Sequence, residues 1–166
     1  MKRIAGCLFL ILGLISTQTP ASAQRLSPSS EYWHTAGVGL STPMGFNMGA
    51  SYSFVMKGPF FIQATVSATK DVYITRHSVY AVGPSVGVRF YTNTALTSLS
   101  IGPRYIWGTR GADLLSPGTS YHTASMNVIG QVLFREINMG FELYSNLNPI
   151  RNVSGVRLIY RLGQFR

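Results

Sequence analysis

Few side chains in this sequence could move a proton or attack a carbonyl: His34, His77 and His122, with Asp71 and Asp113 as carboxylates and serines throughout. A nucleophile needs a base within hydrogen-bond reach and a third group to hold that base, so spacing decides whether such residues matter. Asp71, His77 and Ser78 fall in one stretch, and Asp113, Ser116 and His122 in another. On an extended strand, residues two apart share a face and residues three apart do not. His122 and Ser125 therefore face opposite ways, and His77 is split from Ser78 by direct adjacency. The catalytic candidates are Asp71, His77, Ser78 and His122, and ordinary loop composition accounts for them without a triad. The three histidines are too dispersed for a metal site, and Cys7 is the only cysteine, so neither metal nor cofactor is expected.

The elements that would carry these residues have a period of two. In the last of them, Val156, Leu158, Tyr160 and Leu162 stand on one parity and Gly155, Arg157, Ile159 and Arg161 on the other. That alternation predicts a strand with an apolar face and a face of small and charged residues. Eight such segments run approximately over 32–41, 45–54, 60–68, 78–91, 95–109, 121–134, 136–145 and 152–162. Each is long enough for a tilted strand to cross a bilayer, which takes about 9–11 residues. In the fourth, Val82, Val86, Val88 and Phe90 oppose Gly83, Ser85, Gly87 and Arg89; in the seventh, Ile137, Met139, Phe141 and Leu143 oppose Asn138, Gly140, Glu142 and Tyr144. Strand charges are expected on the polar parity throughout. A soluble sheet would carry Lys and Glu on its outer face, whereas here the polar face is Gly, Ser, Thr and a few Arg, as in the lumen of a membrane barrel. The fold class expected is all-β, an eight-stranded antiparallel up-and-down transmembrane barrel.

Residues 1–23 read as a signal peptide, with Lys2 and Arg3 before an apolar run and Ala21-Ser22-Ala23 before a cleavage point. Cys7 precedes that run, on the wrong side for a lipoprotein signal. Residues 24–31 form a polar leader and 32–166 a single barrel domain. Charged residues are 11% of the chain, against roughly 25–35% on a soluble surface. The net charge is +9, but the basic residues are scattered singly on an exported chain, so nucleic acid is excluded as a partner. Outer-membrane lipid, including the phosphates of lipopolysaccharide, is the partner expected for that charge, together with the barrel-assembly machinery and an extracellular ligand of unspecified kind.

Connections alternate between tight (55–59, 92–94 and the junction at Arg135) and long (69–77 and 108–120). Short turns face the periplasm in outer-membrane barrels, which puts both termini there and the long connections outside. Lys70, Asp71, Arg76, Arg110 and Asp113 are then outer-loop interaction residues. Aromatics sort into a belt at the periplasmic strand ends, including Trp33, Phe61, Tyr91 and Tyr160, and one at the outer ends, including Tyr80, Tyr105, Trp107 and Tyr144. Inside, Gln63, Arg89, Arg104, Asn127, Gln131, Glu142, Arg157 and Arg161 are expected to form a hydrogen-bonded lumen network, since buried charges must be paired. Counting back across the last hairpin brings Arg157 opposite Glu142.

The chain resembles the small eight-stranded outer-membrane proteins of Gram-negative bacteria, and more loosely the short barrels common in Bacteroidetes. Residues 82–90, Ile101-Gly102-Pro103-Arg104-Tyr105 and the strand from Gly155 to Tyr160 carry the resemblance. It implies an integral outer-membrane protein with a structural or surface-interaction role, no pore and no chemistry of its own. Lipid A deacylases of this kind carry a His-x-Ser that is missing here, and palmitoyltransferases gather His, Asp and Ser at the outer rim; a lipid A acyl-modifying enzyme is the first alternative. A periplasmic lipocalin-like carrier is the second.

Overall fold

Strands apolar on one face can satisfy every backbone N–H and C=O in hydrocarbon only by closing on themselves. The computed structural model, which describes residues 32–42, 45–56, 58–71, 78–110, 119–148 and 152–162, does this with eight strands. They are β1 (Tyr32–Thr42), β2 (Gly45–Val55), β3 (Phe60–Asp71), β4 (Ser78–Tyr91), β5 (Ala95–Arg110), β6 (Thr119–Phe134), β7 (Met139–Leu147) and β8 (Val153–Leu162). Each pairs antiparallel with its neighbours in sequence, and β1 closes on β8 with Val38 opposite Leu158. Residues 1–31, with the expected signal peptide, lie outside the described residues, as do Arg76, His77 and Asp113.

The expected parity sets the two faces of the wall. Leu40 and Val86 point outward and are 63% and 58% exposed, while Ser85, Arg89, Arg104, Glu142 and Arg157 are buried inside. This is a wall for a bilayer, with apolar side chains outside and charge within. The ladder between β4 and β5 runs from Val79 to Val82 and resumes at Val86, because Pro84 and Pro103 stand on the two facing strands and neither has an N–H to donate.

Several expectations need correction. The seventh strand starts at Met139, not 136: residues 135–138 make a four-residue turn in which Asn138 adopts φ 53°, a conformation Asn tolerates, so Ile137 is an exposed turn residue and not part of the lipid-facing strand. Lys70, Asp71 and Arg110 belong to strands instead of loops, because Lys70 pairs with Phe46, Asp71 with Gly45 and Arg110 with Thr119. Lengthening β3 in this way puts Lys70 on the outward parity, so strand charges are not confined to the polar face. Trp33 and Phe61, expected in an interfacial belt, are each 1% exposed inside the barrel. They pack with Leu96, Leu133 and Ile159 into an apolar plug near the end where the chain enters and leaves, and Tyr91 packs against it. Tyr144 is also inside, 3% exposed, not in an outer belt. Position along a strand does not place a ring in a belt; parity must also turn it outward.

Candidate functional site

The interior is organised by register. Inward residues that face one another on successive strands form a row that climbs as it circles the barrel, because the strands tilt. One such row passes through Arg89, Ser98, Gln131, Glu142, Arg157, Gly39, Asn47 and Thr69. Hydrogen bonds follow it. Ser98 Oγ donates to Gln131 Oε1 at 3.3 Å, and Gln131 Nε2 donates to Glu142 Oε2 at 2.7 Å. Arg157 forms an ion pair with Glu142 through Nη1, and its Nε donates to Asn47 Oδ1. Asn47 Nδ2 in turn donates to Thr69 Oγ1. Arg157 reaches Asn47 across Gly39, the one member of the row without a side chain to block it, and its guanidinium lies 4.1 Å over the Tyr144 ring.

Another inward row repeats the device. Arg104, on β5, reaches across Gly83 of β4 to Thr65 of β3, donating from Nη2 to Thr65 Oγ1 at 2.6 Å and from Nη1 to Asn146 Oδ1 at 3.2 Å. Gln63 Oε1 accepts from Ser100 Oγ at 3.1 Å, and Thr35 and Ser51 share a 2.6 Å hydrogen bond. Asn127 is buried opposite Gly102 and Asn146. At the plug end Arg89 donates from Nη1 to the Tyr91 hydroxyl at 2.7 Å and stands 5.8 Å from the Trp33 ring centre, and Arg161 is buried beside it on the same inward face.

Thus all eight lumen residues named from the sequence lie inside, and Gln131, Glu142 and Arg157 are joined directly. Asn47, Thr65, Thr69, Ser98 and Asn146 complete the contacts; parity marks Asn47, Thr65 and Ser98 as it marks the arginines, whereas Thr69 and Asn146 lie just past the expected segments, on strands that run longer than expected. Both oxygens of Glu142 are engaged and the residue is 2% exposed, so the carboxylate presents nothing to a substrate outside.

The catalytic candidates are not brought together. His122 is exposed on the outer wall, directly across the ladder from Trp107, with its ring 6.4 Å from that of Tyr105. Ser78 begins β4, opposite Lys70, and β5 lies between it and His122, which leaves about 10 Å between their strands. Asp71 ends β3 opposite Gly45, and His77 lies outside the described residues. No three His, Cys, Asp or Glu side chains among the described residues gather as a metal site would require.

No family model matches the sequence, and no curated protein matches it. Solved structures do match. Neisserial surface protein A is similar over 80% of this chain and 95% of its own, with a TM-score of 0.59 and 15% identity. The outer membrane enzyme PagL is similar over 78% and 98%, with a TM-score of 0.53 and 9% identity. Ail, the attachment invasion locus protein of Yersinia pestis, is similar over 79% and 97%, with a TM-score of 0.52 and 11% identity, and has also been solved with the heparin analogue sucrose octasulfate. Likeness at these identities establishes a shared fold, the small eight-stranded outer-membrane barrel.

Proposed function

We propose that the chain is an integral outer-membrane barrel with a structural or surface-interaction role, exported by cleavage before Gln24, with both termini periplasmic and the ends of β3 and β5 outward. The observation that carries this reading is the inverted wall: bulky apolar side chains such as Leu40, Phe60 and Val86 stay exposed while five charged strand residues, among them the Glu142–Arg157 pair, are enclosed. Eight strands leave an interior just wide enough for side chains, and here the plug and the polar inward side chains occupy it, which argues against a pore. Recovery in the carbonate-resistant outer-membrane fraction, with a gel mobility that changes on boiling, tests the reading. A soluble monomer without detergent would defeat it and would favour the lipocalin-like carrier.

On this reading Lys70, Asp71, Arg76, Arg110 and Asp113 are the residues that meet lipopolysaccharide or an extracellular ligand, and the barrel-assembly machinery inserts the chain. The solved Ail complex with a sulfated sugar lends weight to anion binding on such a surface. The fold shared with PagL keeps a lipid A acyl-modifying enzyme as the second reading, with His122 on the outer wall as its accessible base. The mass spectrum of lipid A with and without the gene separates the two.

A further inference from the structure

The outer wall is not uniformly convex. Two adjacent outward rows, one running from Tyr160 through Ala36 and Ala50 to Val66, the other from Val38 through Met48 and Ala68 to Tyr80, line an apolar furrow of about 810 Å³. Its floor is low because alanines replace the branched and aromatic residues found elsewhere on this wall. Its two banks are high. Leu40 and Phe46 stand in the next row on one side, and the His34 and Tyr52 rings, 4.7 Å apart, stand on the other. The volume lies within the range of small-molecule pockets, about 300–1,000 Å³.

We infer that this furrow seats one acyl chain of lipid A, whose phosphate lies at Lys70. The inference rests on the outer-membrane reading above and names the lipid that reading leaves general. Three observations support it. First, the depth fits: the stretch from Tyr160 on β8 to Trp107 on β5, five of the six strand spacings that the furrow crosses from Met139 on β7, is about 24 Å along the wall, and with strands tilted by about 40° this rises roughly 15 Å, the depth of one leaflet. Second, the charge fits. Lys70 is exposed on the outward face, next after Ala68 on β3 and level with Phe46, so it stands on the bank of the furrow toward the strand ends away from the chain termini, two strands from the β5 end. It is a cation on the lipid side of a wall whose Arg89, Arg104, Glu142, Arg157 and Arg161 are all buried inside. Third, the β5 end of the furrow carries stacked rings suited to a headgroup depth: Trp107 lies 5.8 Å from both Tyr80 and Tyr105. A second copy fits less well, because a two-fold contact would set furrow against furrow and leave a void between them.

The test uses the full mature chain folded in detergent micelles, titrated with hexa-acyl lipid A and followed by native mass spectrometry. One lipid A per barrel is expected. Ala50→Leu, which fills the floor with an equally apolar side chain, should abolish the adduct, whereas the same enlargement at Ala124→Leu, on the outward face of β6 beyond the furrow, should leave it. Lys70→Gln should weaken it roughly fivefold, the effect of one cation near a phosphate surface. An adduct indifferent to Ala50→Leu and Lys70→Gln would be annular lipid and would overturn the inference. So would equal retention of phosphatidylglycerol in place of lipid A, or a dimer that Ala50→Leu dissolves. A chain that stays soluble without detergent would overturn the membrane reading itself, and the inference with it.

Discussion

Glu142 and Arg157 are direct register partners on β7 and β8, both buried inside the barrel and joined as an ion pair. Removing one member leaves the other charge without its counterion in an enclosed space. Glu142→Gln should therefore destabilise the barrel more than Glu142→Gln combined with Arg157→Met, with a coupling of about 1–3 kcal/mol. Urea unfolding in lipid vesicles measures this, and additive single and double variants would refute the pairing as an energetic unit.

The guanidinium of Arg157 is held over β2 by the absence of a side chain at Gly49. A Cβ added there would stand 2.6 Å from Nη1, and the ion pair and the Asn47 bond prevent the arginine from yielding freely. Gly49→Ala should cost about 1–3 kcal/mol. In the Arg157→Met background the same substitution should cost clearly less, and an unchanged cost would place the strain elsewhere.

Val86 faces outward on β4 with 58% exposure, and Ser85 faces inward. In vesicles, Val86→Arg should lose about 2–4 kcal/mol at mid-strand, the cost of a cation in hydrocarbon. Val86→Ala should lose much less. If the two variants unfolded at the same urea concentration, the assigned lipid face would be wrong.

The plug makes the fourth case. Trp33 and Phe61 pack with ring centres 4.9 Å apart, and both are almost wholly enclosed. Phe61→Ala should destabilise by about 3–5 kcal/mol, as for other large buried rings, and Trp33 emission should shift to the red as water enters. Retention of the native emission and unfolding midpoint would show that the plug does not hold that end of the barrel together.

Local chemistry along the chain was enough to determine the strands, their two faces and the inside position of Arg89, Arg104, Glu142, Arg157 and Arg161, because a period of two commits each side chain to one side of the sheet wherever the strand runs. The same parity explains why turns were harder: 135–138 leaves the sheet in a turn where Asn138 takes a left-handed backbone, and such a conformation has no periodic signature. Parity also could not say which inward residues meet. Ser98 and Thr69, or Arg157 and Asn47, are far apart in sequence and share a row only because the closed barrel fixes the stagger between all eight strands. Tertiary packing likewise gathered the inward Trp33 and Phe61 with Leu96, Leu133 and Ile159 into a plug, and register between β1, β2 and β3 set Ala36, Ala50 and Ala68 side by side as a furrow. Strand parity thus fixed the face each residue takes, whereas its height and neighbours came from register, which depends on pairing around the entire circumference.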